Sequence, residues 1–533
     1  MSDTLAAAAQ PTRHLEGEHG DTASEVVGLA RGGIVNLLGA LLSHAAAFLV
    51  TALLARQLGA RAVGLYAQAF AFLALIEILS LSGFRSGLTR FVAVHLADND
   101  RASLRGTIRM GLGFAGLLSA ALGAALFFSA PWLAAKAFDE PSLELLFRFV
   151  AFTLPFTVLK QAALSATQGY KTMRYFAGIG LLAVPSLRLV ATGVFLVAGG
   201  GLEGVMAALL ISEAFGGVLS IVALRSLVGR FEVRPRYQRR ELLGYSTVSW
   251  ISSIAATGLM WADTILLGVY RSSAEVGRYQ VASRLVLIAT IALWPMTASF
   301  APRIADLHRR GQTESLRRTY TAATSWILRI SLPGFVLLLA FPRELTRLFG
   351  NAFTVSAAFM ALLMVGKVVD AATGPCGLML NQSGWVILNM FDNVLGLAVN
   401  VALNIYLIPR HGMVGCAVAS TLSLVLVNVT RVMQVWIKMR MLPFDPASTK
   451  GVAAAVAALG AGLVVHTTLP GTRSLLIGIP TVAAAYLLGL IIFGLSREDR
   501  LVLREFRRAW RWSGSWRPKP VPVVARIDSG GPQ

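Results

Sequence analysis

The sequence contains few charged residues for its length. Only 14% of its 533 residues are Asp, Glu, Lys or Arg, and 55% are hydrophobic, whereas a soluble domain has about 25% charged residues. This composition excludes a soluble enzyme, a disordered regulator and a fibrous protein. Because a transmembrane helix needs about 20 apolar residues, the chain has enough for a dozen or more. The composition therefore predicts an all-α polytopic membrane protein.

Cysteine is scarce, and motifs for catalysis or cofactor binding are missing. The two cysteines, Cys376 and Cys416, lie in apolar stretches without the spacing of metal ligands or of a disulfide framework. We find no nucleophile elbow, phosphate-binding loop or metal motif. The first 30 residues lack the basic segment and apolar core of a signal peptide, so they predict a cytoplasmic tail. We expect no resident cofactor and no enzymatic activity.

Long apolar runs follow one another with short connections. Fourteen runs, among them one at residues 275–301, are long enough to span a membrane, and no connection is long enough to fold as a separate domain. The predicted parts are a disordered cytoplasmic tail (1–30), an N-terminal six-helix lobe (31–226), a basic cytoplasmic linker (227–244), a C-terminal six-helix lobe (245–440), an extra transmembrane helix pair (449–495) and a basic cytoplasmic tail (496–533).

Basic residues are concentrated on one side of this predicted topology. Of the 48 Lys and Arg residues, 32 fall in the termini and loops of one side and nine in the loops of the other. By the positive-inside rule, this bias predicts a multi-pass inner-membrane protein with both termini in the cytoplasm. The net charge of +21 then indicates contact with anionic membrane lipids and not with nucleic acid. Leu503, Phe506 and Trp510 recur at helical spacing among arginines and predict an interfacial helix in the tail.

The two halves of the chain share short motifs in the same register. Residues 63–66 (Val-Gly-Leu-Tyr) recur at 276–279 (Val-Gly-Arg-Tyr), an offset of 213. Ser-Leu-Arg at 103–105 recurs at 315–317, an offset of 212, and a Gly-x-x-Gly pair recurs at an offset of 211. These matches predict two six-helix repeats that enter the membrane in the same direction, with a substrate path between them.

Further motifs accompany the repeats. They are Leu58-Gly59, Gly83 and Arg90-Phe91-Val92-Ala93 in the first repeat, and Asp263, Ala282-Ser283-Arg284-Leu285, Pro302-Arg303, Leu348-Phe349-Gly350 and Asn400 to Pro409 in the second. Their order over residues 30–440 resembles the bacterial oligosaccharide flippases, the exporters of O-antigen and exopolysaccharide repeat units in the multidrug/oligosaccharidyl-lipid/polysaccharide superfamily.

This resemblance implies a fold of two lobes like those of the MATE exporters, with about fourteen transmembrane helices in total. The extra pair at 449–495 fits the fourteen-span subgroup. The implied activity is the translocation of an undecaprenyl-diphosphate-linked oligosaccharide from the inner to the outer leaflet by alternating access, coupled to a Na⁺ or H⁺ gradient. The implied partners are the lipid-linked oligosaccharide, a polysaccharide polymerase and a chain-length regulator.

Four ionisable residues lie inside the spans that the resemblance places around the central cavity: His44, Glu77, Asp263 and Arg284. A charge near the bilayer centre costs at least about 2.5–3.5 kcal/mol, so it is usually paired or functional. Arg284 is the candidate contact to the diphosphate, because a guanidinium binds phosphate bidentately. Asp263 and Glu77 could hold this arginine, accept a proton or contact sugar hydroxyls, and His44 could relay protons. Alternatively, Asp263 and Arg284 form a structural pair and His44 bonds a neighbour.

A second polar group lies in the C-terminal lobe. Lys367 and Asp370 share one helical face, and Asn389, Asp392 and Asn393 lie at a similar depth. Carboxylate and amide oxygens could bind a sodium ion or a proton, although a structural Lys–Asp pair explains the same pattern. The first lobe contains a further candidate network: Lys160, Arg188 and Glu213.

The sequence is also compatible with other functions. Within transporters, the alternatives are a lipid II flippase and a cation-coupled drug exporter. A different class is a membrane-embedded polysaccharide polymerase or glycosyltransferase, but the loops on the outer side are short and contain no paired acidic motif. A non-transporting assembly scaffold is a further alternative, although buried charges are unusual for one.

Overall fold

The structure is a computed structural model that describes residues 13–229, 233–237, 239–290, 293–444, 447–469 and 471–493. Side chains are described from residue 38 onward, except at 239, 240, 243, 248, 293–299, 447 and 472. Of the two predicted tails, 496–533 lies outside the described residues, and 1–30 is described only from Arg13, where the first helix begins.

The N-terminal lobe consists of helices, two of which carry a π-helical turn at one end. The π-helical turns are Leu133–Ala137, after α3, and Phe176–Ala183, before α5. The helices are α1 (Arg13–Leu81), α2 (Phe84–Ala97), α3 (Arg101–Trp132), α4 (Leu143–Gly169), α5 (Val184–Val197) and α6 (Gly201–Val228).

The C-terminal lobe and the extra helix pair complete the described chain. The lobe comprises α7 (Arg239–Tyr270), α8 (Ser273–Ala289), α9 (Leu293–Arg309), α10 (Thr313–Ala340), α11 (Pro342–Arg347), a 3₁₀ turn (Asn351–Phe353), α12 (Ala357–Thr373), α13 (Cys376–Gln382) and α14 (Val386–Met439). The pair is α15 (Ala447–Thr468) and α16 (Thr472–Ile492). The described residues contain no strand, in agreement with the predicted all-α class.

Nine helices of the described chain are long and apolar enough to cross a membrane, or ten if α12 and α13, bent by 44°, form one span. Two of the nine have double length, 44 and 54 residues. They are broken at Gly59 and Gly412, where φ is 81° and 56°, values that glycine adopts at little cost. The predicted total of fourteen spans stays a prediction.

One predicted span differs in the structure. The apolar run at 275–301 is divided between α8, which ends at Ala289, and α9, which begins at Leu293. Pro295 falls in the first turn of α9, where the missing backbone N–H is tolerated. The hydropathy pattern does not detect this boundary because apolar residues continue across it.

The backbones of the two lobes touch close to Tyr270, the last residue of α7. A Cβ added to Gly64 on α1 would overlap the carbonyl oxygen of Ser273, and one added to Gly277 on α8 would overlap that of Ala60. The Gln68 amide donates to the Ser273 hydroxyl at 3.1 Å. Gly64 and Gly277 are equivalent positions of the sequence repeat, so the repeats meet at their matching glycines.

The lobes also meet at the other end of α7. There, a Cβ added to Gly83 would overlap the carbonyl oxygen of Ser246. Ser249 donates to the Ser86 hydroxyl at 2.8 Å, and the Trp250 indole donates to a carbonyl on α1 at 3.1 Å. Ser246 lies 24 residues before the last residue of α7, roughly 36 Å along the helix. The lobes therefore contact each other near both ends of α7.

The glycine contact between α1 and α8 generates a testable expectation. Gly64→Ala should separate the lobes at this end, because a methyl group and the Ser273 carbonyl cannot occupy the same place. Spin labels on Arg61, which is exposed, and Arg278, which is partly exposed, should then show a longer inter-lobe distance in Gly64→Ala than in the parent protein. Gly113→Ala is the matched control, since no atom lies within 4 Å of its added Cβ. An unchanged distance in Gly64→Ala would show that the contact does not hold the lobes together.

Candidate substrate and cation sites

Arg284 lies where the two lobes face each other. It is half-buried on α8, and its guanidinium approaches the Ala47 carbonyl of α1 at 3.5 Å. No ion pair to it is found among the described side chains. His44 lies one turn before Ala47, is exposed, and is within reach of the Arg284 charge. Arg284 is thus a cation at the lobe interface without a carboxylate partner, and the predicted pair with Asp263 does not form.

The first lobe contains a buried charge cluster. Glu213 on α6 is 3% exposed and accepts hydrogen bonds from both the Lys160 ammonium and the Arg188 guanidinium. Glu77 on α1 is half-buried and lies beside Lys160, with a hydrogen bond from Gln161. The predicted network of Lys160, Arg188 and Glu213 is therefore present, and Glu77 belongs to its surroundings.

Aromatic side chains connect this cluster to the lobe interface. The Arg188 guanidinium lies 5.9 Å from the ring centroid of Phe70 on α1. Phe70 in turn lies 5.5 Å from Trp261 on α7 of the other lobe and 6.1 Å from Tyr66. Arg188 is therefore connected to the second lobe through aromatic contacts.

Asp263 has only neutral partners among the described side chains. Its carboxylate is buried on α7 and accepts hydrogen bonds from the amides of Asn400 and Asn404, at 3.0 and 2.8 Å, and from the Tyr279 hydroxyl at 3.0 Å. The side-chain oxygen of Asn404 is buried without a hydrogen-bond donor. An isolated carboxylate is costly to bury. A proton or a small cation such as Na⁺ would neutralise this carboxylate.

The second predicted group separates into two parts. Asp370 pairs with Lys367, with 3.7 Å between their charged atoms, and accepts from the Asn428 amide at 3.2 Å.

Asp392 belongs to a different cluster at the start of α14. It is fully buried, accepts from Gln434 at 2.7 Å and lies 4.0 Å from Arg431. Arg431 donates instead to Asn393, at 2.6 Å, and Asn389 donates to Asn381 at 3.1 Å. No hydrogen bond or ion pair in the described chain joins the Lys367–Asp370 pair to Asn389, Asp392 or Asn393, and the cation site predicted at these five residues stays a prediction.

An apolar cavity of about 310 Å³ lies between α1, α7 and α14. Its lining, which includes Leu75, Ile254 and Leu397, contains no charged side chain. The cavity therefore offers no cation to an anionic head group, whereas Arg284 at the lobe interface does.

The structure adds partners of Asp263 that were not predicted as site residues. Asn400 and Asn404 belong to the motif from Asn400 to Pro409, and both bond to Asp263. Their i, i+4 spacing inside an apolar span places two amides on one helical face. Such a pair of amides in an apolar span predicts a buried polar partner. The position of Arg188 in the sequence does not show that its side chain lies over the Phe70 ring on α1.

Comparison with known proteins identifies the family. The profile of the family described as polysaccharide biosynthesis protein matches residues 29–308, more than half of the chain. The chain belongs to the polysaccharide biosynthesis protein family. A second profile, MatE, matches residues 249–406 of this family member, in agreement with the predicted MATE-like lobes.

Two curated relatives come from the archaeon Haloferax volcanii. The probable low-salt glycan biosynthesis flippase Agl15 is 26% identical over 236 residues, which cover 43% of this chain and 49% of the relative. The probable flippase AglR is 26% identical over 292 residues, 53% of this chain and 60% of the relative. The matches thus span half to three fifths of the length of these relatives.

The fold of this family member also matches solved transporter structures. The lipid II flippase MurJ, in an inward closed conformation, superposes with a TM-score of 0.68 at 14% sequence identity, covering 86% of this chain and 98% of the other. At this identity the likeness concerns the fold alone. The protein is a multi-pass membrane protein with the transporter fold of the superfamily that the sequence resembles.

The Glu213 cluster predicts a large loss of stability when its one shared carboxylate is removed. Glu213→Ala leaves Lys160 and Arg188 buried without this counter-ion, which should lower the free energy of unfolding by about 3–5 kcal/mol. Thermal unfolding of the purified protein in detergent measures this loss.

A partly exposed ion pair of the same lobe provides the control. Glu144 bonds to Arg148 at 2.7 Å, and both side chains are more than a third exposed, so Glu144→Ala should change stability by at most about 1 kcal/mol. Equal effects of the two substitutions would show that the buried cluster does not depend on Glu213.

Proposed function

We propose that this protein is a flippase that moves a polyprenyl-diphosphate-linked oligosaccharide across the cytoplasmic membrane for surface polysaccharide assembly. The observation that carries the proposal is Arg284, a cation without an ion-pair partner in the described chain, at the interface of the two lobes. Guanidinium groups bind phosphate oxygens bidentately, and a cationic drug would be repelled there. The family and the names of the two archaeal relatives support the same class of activity.

The proposed transport cycle uses the two ends of the lobe interface in turn. The Lys- and Arg-rich loops lie in the cytoplasm, and the lobes open there to admit the head group. The lobes then close and open at the Gly64–Ser273 end. The diphosphate and glycan cross between the lobes while the polyprenyl chain stays in the bilayer. The protein acts as a transporter without catalysing a covalent reaction, and a polymerase and a chain-length regulator use the delivered unit.

Removal of Arg284 tests the assignment. In a strain that lacks the gene, the lipid-linked oligosaccharide should accumulate on the inner leaflet, out of reach of an impermeant probe. The parent gene should restore translocation, whereas Arg284→Ala should reduce it by about ten- to hundredfold, the loss expected for one or two charged hydrogen bonds. The measurement is the fraction of the lipid labelled from outside.

The matched control for this experiment is Arg278→Ala, which removes a cation from the same helix near its outer end. It should restore translocation as the parent gene does. Accumulation of the intermediate on the outer leaflet in the deletion strain would instead place the protein after translocation, and the polymerase hypothesis would replace the flippase.

We further propose that Asp263 holds the coupling cation, Na⁺ or H⁺. The support is its burial among neutral donors and the Asn404 oxygen that has no donor. A bound cation would neutralise the carboxylate and interact with this oxygen. Its release would leave a buried negative charge, which favours rearrangement of the lobe.

Cation binding by Asp263 can be measured on the purified protein. Its thermal unfolding temperature should rise with Na⁺ in place of choline, or with falling pH if the ligand is a proton. At a hundred times the dissociation constant, the stabilisation is about 2.7 kcal/mol. Asp263→Asn should abolish this dependence, and Asp370→Asn, a carboxylate already paired with Lys367, should retain it. Loss of the dependence in Asp370→Asn alone would move the cation site to that residue.

A further inference from the structure

A cavity of about 400 Å³ lies at one end of the first lobe, where α2, α4 and α6 end and α3 begins. The bias of Lys and Arg residues predicts that this end faces the cytoplasm. All of the lining residues belong to the first lobe, and none of them is part of the sites at Arg284 and Asp263. Besides Leu and Val side chains and a glycine, the cavity is lined by four polar residues: His95, Asn99, Arg101 and Tyr170.

Two of these polar residues have buried atoms without a hydrogen-bond partner. His95 is 4% exposed, and its Nε2 has no partner among the described residues. The Tyr170 hydroxyl is likewise buried without a partner there. An unpaired buried donor or acceptor costs free energy, so nearly all such groups in native proteins have a partner. Two of them around one cavity therefore point to a polar ligand that bonds to both.

The chemistry of the lining favours an anion. Imidazole, phenol, amide and guanidinium groups can each donate a hydrogen bond, and the lining contains no acidic residue. The exposed Arg101 adds a positive charge. Of the two acids next in sequence, Asp98 is exposed, and Asp100 accepts from the Ser103 backbone N–H at 2.9 Å as the N-cap of α3. A phosphate group, which accepts several charge-assisted hydrogen bonds, matches this set of donors.

We propose that this cavity binds a phosphate group, with Arg101 supplying the opposite charge and His95 and Tyr170 donating hydrogen bonds to its oxygens. The phosphate belongs either to an anionic phospholipid of the adjacent leaflet or to a soluble phosphate ester, which present the same chemistry. Basic pockets between transmembrane helices on the cytoplasmic side bind anionic lipid head groups in other membrane proteins. A ligand here would join four helices of the first lobe. The inference goes beyond the proposed transport activity and does not depend on it.

Three probes test the site on the purified full-length chain in detergent. Dioleoylphosphatidylglycerol carries the phosphate on a lipid, glycerol 3-phosphate carries it in solution, and dioleoylglycerol has the lipid chains without a phosphate. Native mass spectrometry measures the binding of the two lipids, and isothermal titration calorimetry that of the soluble ester. We expect the phosphate probes to bind and dioleoylglycerol to bind at least tenfold more weakly. Binding of the phospholipid alone identifies a lipid head group as the ligand, and binding of glycerol 3-phosphate identifies a soluble ester.

Two substitutions link this binding to the cavity. Tyr170→Phe removes only the hydroxyl without a partner, so it should not lower the unfolding temperature of the ligand-free protein. It should weaken phosphate binding about tenfold, as expected for the loss of a hydrogen bond to a charged group. Arg101→Gln should weaken it about two- to fivefold, because an exposed cation contributes less. Arg109→Gln is the matched control, since Arg109 is an exposed cation on the same helix outside the cavity lining.

Three outcomes would overturn the phosphate site. The first is that neither phosphate probe binds, or that dioleoylglycerol binds as tightly as the phospholipid. The second is unchanged binding in Tyr170→Phe, which would place the ligand outside the cavity. The third is equal weakening by Arg109→Gln and Arg101→Gln, which would attribute binding to overall charge. None of these results concerns Arg284, so the proposed flippase function is tested separately.

Discussion

The cost of burying charge in a membrane protein is the constraint on which the rest of this structure depends. Apolar residues fill most of the chain, so each buried ion needs a partner that the fold must supply. Glu213 meets this need with two cations from neighbouring helices. Asp263 meets it with neutral donors, and Arg284 with no carboxylate in the described chain. The three sites therefore differ in net charge: the ionised Glu213 with its two cations is positive, an ionised Asp263 with neutral donors is negative, and Arg284 is positive.

The backbones of the two lobes lie in direct contact, and this contact determines where Arg284 lies relative to the first lobe. Gly64 and Gly277 bring α1 and α8 together so closely that neither position has space for a side chain. Arg284 lies two turns along α8 from Gly277 and faces α1. The contact between these helices therefore holds Arg284, which has no ion-pair partner in the described chain, against the backbone of the first lobe.

Much of this fold could be predicted from the sequence, because the membrane imposes a simple apolar signal. The helical class, the repeats and the apolar spans follow from hydropathy and the recurring glycine motifs. The division between α8 and α9 could not be predicted, since residues 291–293 (Ile-Ala-Leu) continue the apolar run across the boundary. Depth in the membrane also identified Asp263 and Arg284 as candidates. It did not identify their partners, which lie on distant helices whose rotation depends on packing.

The sequence repeat is nearly symmetric at its glycines and asymmetric in its charges. Gly64 and Gly277 occupy equivalent positions, yet the first lobe concentrates Lys160, Arg188 and Glu213, whereas the second lobe buries Asp263 among amides. Symmetric contacts allow the lobes to rock against each other about a common interface. In the proposed function, the anion site at Arg284 and the cation site at Asp263 both belong to the second lobe. The symmetric glycine contacts would then provide the interface at which the lobes move, and the charges that only one repeat has would provide the two binding sites.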